Sequence, residues 1–356
     1  VTFTKNKTPM KPFFILILAS ILCTSCTTRK KEPFTSVSIS EIFTDSLSIR
    51  AIVPQDASRI WFAANKGVVG LIEGTIPKLA TVQYDNIPMH FRAIAKTTES
   101  VFVLSIDTPA VLYKIDLKDN EASAMEEVYV ETGVGVFYDA ISFWNDQEGI
   151  AMGDPIGGCL SIIITRDGGN SWSKLSCDTL PAVVEGEAAF AASNSNIAMY
   201  GDDTWIVTGG MRARVFHSPD KGFSWSVYDT PMLQGGVMTG IYSVAFLDAS
   251  TGVIIGGNWD DKDFNEGNKA ITKDGGKTWN LLSNGAGPGY RSSVSFVPGT
   301  QGQGLVAVGS PGISYSSDQG TTWTELSTEG FYAISFVNDS VAFASGNMKI
   351  SKIIFH

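Results

Sequence analysis

The chain is poor in the residues on which metal and thiol chemistry depend. Its three histidines, His90, His217 and His356, stand far apart, and its four cysteines fall as two distant pairs, Cys23 with Cys26 and Cys159 with Cys177. That scatter builds no zinc cluster, the second pair lacks C-x-x-C spacing, and no C-x-x-C-H haem site occurs. No G-x-G-x-x-G follows a strand pattern, so a short dinucleotide fingerprint is missing too. Charge is sparse at 17%, and bases are outnumbered, 26 against 36 acids; the formal net charge of −10 repels nucleic acid. Apolar runs are short: the longest, Phe13–Leu22, falls well below the roughly 20 residues that span a bilayer. Long amphipathic helical patterns are scarce. What is abundant is glycine, 36 residues, within a 44% hydrophobic composition that can bury a large core, and this combination leans toward an all-β class.

The amino terminus reads as a targeting segment. Met10 is the expected start, with residues 1–9 an upstream extension, Lys11 the positive flank and Phe13–Leu22 the apolar stretch. The segment resembles a bacterial lipoprotein signal, with Ser25 before the cleavage point and Cys26 as the acylated cysteine, although Cys23 stands where such signals prefer leucine. An ordinary secretory signal is the alternative. The resemblance implies a signal peptide over 1–25, a lipidated tether over 26–36 and a soluble domain over 37–356, held at the cell envelope by lipid alone. Loss of 1–25 removes Lys5, Lys7 and Lys11 and no acid, which takes the formal charge from −10 to −13.

One motif recurs. Thr165–Trp172 (TRDGGNSW), Ser218–Trp225 (SPDKGFSW), Thr272–Trp279 (TKDGGKTW) and Ser316–Trp323 (SSDQGTTW) share a hydroxyl residue, an aspartate, a glycine, a second hydroxyl residue and a tryptophan at fixed offsets. Their spacing of about 45–55 residues is that of a repeat architecture. The pattern resembles the Asp-box, or BNR repeat, of β-propellers such as sialidases. Two strand patterns recur ahead of the boxes, for example YDAISF with GIAMGD and YSVAF with GVIIGGN, and the same pair occurs earlier without a box. Counting Gly186–Ala192 (GEAAFAA) as a first strand gives seven units of four short strands, so the expectation is a seven-bladed β-propeller. The last unit is one strand short at the carboxyl terminus. Thr35–Phe43 is expected to supply it and close the ring.

In such a box the carboxylate accepts backbone N–H groups of its own turn, which gives Asp167, Asp220, Asp274 and Asp318 a structural role at the outer rim. Cys159 and Cys177 flank the DGG turn symmetrically, which in a regular hairpin sets them opposite one another; a disulfide is expected there, two separate core thiols being the alternative. The acidic loop Asn258–Asn268 resembles a calcium loop but has Glu266 and Thr272 where that loop needs glycine and glutamate. It reads as a solvated overhang, and no metal is assigned.

Residues at the starts of innermost strands converge in a propeller. Arg50, Arg92, Tyr138, Asp139 and Glu187 stand at such positions, as do Tyr242, Arg291 and Tyr332. Arg212, Arg214 and Asp154 are expected to approach the same face. These groups either satisfy one another around a wet channel or form a recognition surface rich in arginine and tyrosine.

The seven-unit layout and strings such as HFRAIAKTTESVFVLS, FYDAISFWNDQEGIAMGDP, GGMRARVFHSPDKGFSW and GYRSSVSFVPG resemble the photosystem II stability and assembly factor family, over about residues 37–356 and closest to its non-photosynthetic bacterial branch. The resemblance implies a non-enzymatic scaffold, without cofactor and monomeric, that binds a protein or glycan through an arginine patch, here Arg50, Arg92, Arg212, Arg214 and Arg291. Some such proteins are labelled oxidoreductases, a label that no residue motif here supports. A sialidase-like glycoside hydrolase is the other alternative, with Arg50, Arg92 and Arg291 as an arginine triad and Glu187, Tyr242 and Asp139 as the reacting groups. It lacks the Phe/Tyr-Arg-Ile-Pro string of that family.

Overall fold

Strands rich in β-branched residues run between glycine-marked turns, as in Cys159–Thr165 (CLSIIIT), which is buried along its whole length. The computed structural model describes residues 1–5 and 32–356, and all of its strands lie in the unit Glu32–His356. The signal segment and Cys26 lie outside the described residues.

Strands join as antiparallel meanders of four. One comprises Phe91–Lys96, Ser100–Ser105, Ala110–Lys118 and Glu121–Glu131; the next comprises Tyr138–Phe143, Gly149–Ile156, Cys159–Thr165 and Ser173–Lys174. Ile197–Tyr200, Asp203–Val207, Arg214–Ser218 and Ser226–Asp229 form another. Thr239–Phe246, Gly252–Asn258, Lys269–Thr272 and Asn280–Leu281 follow, and then Ser293–Phe296, Leu305–Gly309, Gly312–Ser316 and Thr324–Ser327. The long strand Val37–Pro54 serves two meanders. Residues from Val37 to Ser48 pair with the terminal strand Asn347–Phe355, beside Val341–Ser345 and Ala333–Phe336. Residues from Ile49 onward pair with Arg59–Ala64, which leads to Val68–Glu73 and Ile76–Thr81.

The core lies between sheets. Trp61 and Leu71 pack on Phe91, Val103 and Tyr113; Phe102 and Leu104 pack on Ile141, Ile163 and Trp172. Ile150 and Ile162 meet Ile206 and Phe216, while Trp205 and Val215 meet Ile241 and Ile254. Val253 and Ile255 meet Leu305 and Ala307; Val306 and Ile313 meet Ile334 and Ile353. Phe343 and Ile350 of the last strands meet Ile49, Ile60 and Phe62 of the first. Outer strands carry little of this core, and Ile76–Thr81 is exposed throughout.

Gly186–Ala192 is not a first strand. Only Glu187–Ala188 pairs, and with Gly209–Gly210, whereas Ile197–Tyr200 takes the expected place beside Asp203–Val207. The cause is composition: alanine and glycine are weak strand formers, while IAMY offers apolar side chains to the neighbouring core. Gly209 and Gly240 pair so closely that a Cβ on Gly240 would lie 2.3 Å from the Gly209 Cα.

Each Asp-box aspartate is consumed by its own turn. Asp274 accepts the Thr272 hydroxyl at 2.8 Å, the Thr278 amide at 2.9 Å and the Thr278 hydroxyl at 2.6 Å, while the Gly276 amide donates to Thr272 at 2.9 Å. Asp167, Asp220 and Asp318 repeat the set. The indoles of Trp225, Trp279 and Trp323 donate to the box glycine carbonyl. Glycine is obligatory at Gly169, where φ is +79° and a Cβ would strike the Phe102 ring at 2.2 Å. Cys159 and Cys177 form a disulfide with Cα atoms 5.4 Å apart.

Burial raises the Asp274 carboxyl, but the Thr278 hydroxyl and amide outweigh it and hold the group at about 2, against an ordinary 3.8. A folded value below the unfolded one contributes stability above pH about 4 that is lost as pH falls toward 2. Asp274→Ala should therefore cost about 1 kcal/mol at pH 7, the worth of an exposed charged hydrogen-bond set. Thermal unfolding followed by circular dichroism should show the gap to wild type closing between pH 4 and 2.

Candidate functional site

The chain between the disulfide and Ile197 places the site. Val183 donates its amide to Gly158 O at 2.9 Å, the Ala182 carbonyl accepts Arg214 Nη2 at 2.9 Å, and the following residues cross the first strands of other meanders. The Ala189 amide donates to Asp154 Oδ1 at 2.8 Å. Arg92 Nη1 donates to Ala191 O at 3.4 Å and Arg50 Nη1 to Ala192 O at 3.2 Å. Ser193 Oγ donates to Ser292 O at 2.7 Å, Asn194 accepts the Ile141 amide and donates to Ile94 O, and Ser195 Oγ donates to Ser243 Oγ. Small side chains let this segment lie where the first strands converge. The expected open channel is thus crossed by the protein's own backbone.

Beside the segment lies a cavity of about 290 Å³. Arg50 and Arg92 line one side, and Phe190, Tyr242, Trp259 and Tyr290 form an aromatic wall. Phe190 stacks on Tyr242 with ring centroids 4.0 Å apart, and Tyr290 meets Tyr242 and Trp259 edge-on at 4.8 and 5.3 Å. Val237, 79% exposed, stands at the rim. The Arg50 guanidinium lies 4.0 Å above the Tyr332 ring, and its buried Nε has no hydrogen-bond partner.

The electrostatics are unusual for an acidic protein. Burial, then the Arg50 charge, lowers the Arg92 guanidinium from its ordinary value. Burial and the Arg92 charge lower His90 to about 4, so its ring is neutral at neutral pH and Nε2 accepts Arg92 Nε at 3.3 Å. Behind the cavity Asp139 is fully buried, with both carboxyl oxygens unpartnered. Burial and then Asp154 hold its pKa well above 3.8, against the pull of Arg92. Asp154, in the cavity lining, is also raised by burial.

Of the residues expected to converge, Arg50, Arg92 and Tyr242 share the cavity and Tyr332 supports Arg50. Asp154 lines the cavity too, and Asp139 lies buried near Arg92 and Asp154; the others are placed elsewhere. Tyr138 is fully buried and its hydroxyl donates to Glu131 at 2.7 Å, in the neighbouring meander. Glu187 lies in the interior, bound by Arg214 through two bonds of 3.0 and 2.5 Å and by the Thr208 hydroxyl. Arg212 pairs with Asp229 on an outer strand. Arg291 is buried, its Nη2 bonded to Ser314 Oγ at 2.9 Å. Tyr138, Glu187, Arg212 and Arg291 each reach a partner that charge or packing supplies, and the start of a strand does not dictate that direction; Asp139 finds none. Sequence reasoning missed Phe190, Trp259, Tyr290 and the crossing segment. Its one visible signal was the run of small residues in AASNSN.

No family model matches the chain, and no curated protein does. Solved structures do. "YCF48 bound to D1 peptide" superimposes with a TM-score of 0.63 at 14% identity, covering 91% of this chain and 98% of the other. YCF48 from Cyanidioschyzon merolae gives 0.60 at 14%, covering 90% and 99%, and a streptogramin B lyase structure gives 0.66 at 12%, covering 92% and 100%. At these identities the likeness shows the fold: the unit is an all-β propeller, and a YCF48-like one fits.

An acid whose folded pKa is raised costs stability as pH climbs, because the native state must bury the charge or keep the proton. Asp139→Asn, nearly isosteric and neutral at every pH, should match wild type near pH 4 and be the more stable form at pH 8. Denaturant unfolding at the two pH values measures the difference.

Proposed function

We propose that the chain is a seven-bladed propeller, closed by pairing its first strand with its last, that works as a lipid-anchored binding scaffold of the cell envelope. The shared core between the last and first strands supports this closure. On this reading the mouth lined by Arg50 and Arg92 receives an extended segment of a protein partner.

One observation carries the proposal. Two guanidinium groups already hold backbone carbonyls, those of Ala192 and Ala191, beside an aromatic wall and an exposed apolar rim. Main-chain carbonyls and acidic side chains of a partner would meet the same guanidinium groups. That a YCF48 structure is titled as bound to a peptide is consistent with this use of the fold. No chemistry is required. The hydrolase reading needs Glu187, Tyr242 and Asp139 around one space, whereas Glu187 is taken by Arg214, the Tyr242 hydroxyl donates to Met238 O, and Asp139 has no exposure.

Crosslinking and recovery of partners from membranes tests the mouth. The double variant Arg50→Glu/Arg92→Glu, checked for folding by near-ultraviolet circular dichroism, should recover at least tenfold less of the partners captured by wild type; equal recovery would remove the arginines from recognition. The anchor is tested separately. Cys26→Ser should move the chain from the membrane to the soluble fraction and abolish palmitate labelling.

A further inference from the structure

Away from the mouth, two cations share the interior, and Glu325, whose charge acts on Arg291, makes no ion pair with it. Lys269 is fully buried and Arg291 is 3% exposed. Lys269 Nζ donates to Asn268 Oδ1 at 2.6 Å and Pro288 O at 2.9 Å; Arg291 donates to Tyr290 O at 2.8 Å and Ser314 Oγ at 2.9 Å, with its buried Nε unpartnered. Among the described residues neither forms an ion pair. Burial and the Arg291 charge lower Lys269 to about 8, and burial lowers Arg291 to about 10. Two buried like charges are costly unless something negative completes them.

A cavity of about 240 Å³ opens beside them, lined by Gly287, Pro288, Arg291, Ser314, Trp323 and Glu325. At roughly 30 Å³ per water this is far more than a bare ion needs and is the size of a monosaccharide. Its elements are complementary: a fixed guanidinium inside, a hydroxyl beside it, an indole, and an exposed carboxylate able to accept hydroxyl groups.

We propose that this cleft binds a small hydroxylated carboxylate of the uronic-acid type, with the ligand carboxylate on Arg291, its hydroxyls on Glu325 and Ser314, and a sugar face on Trp323. The site is independent of the arginine mouth. The ligand carboxylate gives the buried Arg291 guanidinium a direct anionic partner, which Glu325, acting on it without an ion pair, does not.

Isothermal titration of the full chain at pH 7 with glucuronate, glucose and inorganic sulfate tests it. Glucuronate should bind at least tenfold more tightly than glucose, and Arg291→Gln should lose that affinity at least tenfold. Glu325→Gln should strengthen sulfate more than glucuronate, because both anions lose a repelling charge but only glucuronate loses the charged acceptor of its hydroxyls. Should Arg291→Gln fail to fold, Trp323→Ala decides: it should weaken glucuronate and leave sulfate unchanged. Equal affinity for glucuronate and glucose, no binding at millimolar glucuronate, or full binding by a folded Arg291→Gln would overturn the proposal. So would a Glu325→Gln variant that merely loses thermal stability with no gain for sulfate, since Glu325 would then be the internal partner of Arg291.

Discussion

A strand such as Cys159–Thr165, buried on both sides, exists in water only if a sheet lies against each face of its own sheet. That requirement passes from sheet to sheet, since each meander shares one apolar cluster with its predecessor and another with its successor. The first and last strands meet under the same rule through Phe343, Ile350, Ile49 and Phe62. Function is thereby confined to what the sheets do not bury: outer strands, turns, and the place where first strands converge.

Local hydrogen bonding explains why part of this was legible in the sequence. An Asp-box closes its bonds within eight residues, so Asp167, Asp220, Asp274 and Asp318 could be read without knowing any distant partner. The hairpin partners Cys159 and Cys177 were legible for the same reason, symmetry about a turn. Glu187 and Arg291 were not. Both stand where a first strand was expected to begin, yet one finds Arg214, 27 residues on, and the other Ser314, 23 residues on. Which of several arginines a buried carboxylate meets depends on side-chain direction at a bulge or a chain crossing, which residue type and spacing do not encode.

The mouth shows how positive charge is kept in an acidic chain. Burial, and then the nearby Arg50 charge, disfavours the charge on Arg92. Asp107 acts on Arg92 through its charge, and closer neighbours make uncharged contacts with the pair. His90 stays neutral and accepts a hydrogen bond, the Tyr332 face lies under Arg50, and backbone carbonyls accept guanidinium N–H groups. Asp139, the acid placed to neutralise Arg92, is itself pushed by burial toward its protonated form. The guanidinium pair is thus left under-compensated, the condition in which an incoming acceptor gains most.

The crossing segment decides what kind of acceptor can use that gain. Because Ala191 and Ala192 offer their carbonyls, each arginine is already oriented rather than rotating freely in solvent. A fixed guanidinium loses less entropy on binding than a mobile one. On the proposed reading, with the segment lying between first strands, a partner would approach past Val237 and the aromatic wall. A chain end or loop with an apolar side chain followed by an acceptor satisfies both surfaces in one pose. On that reading a bare anion would meet the donors but leave the wall of Phe190, Tyr242 and Trp259 wet, whereas a peptide with an apolar side chain would cover it.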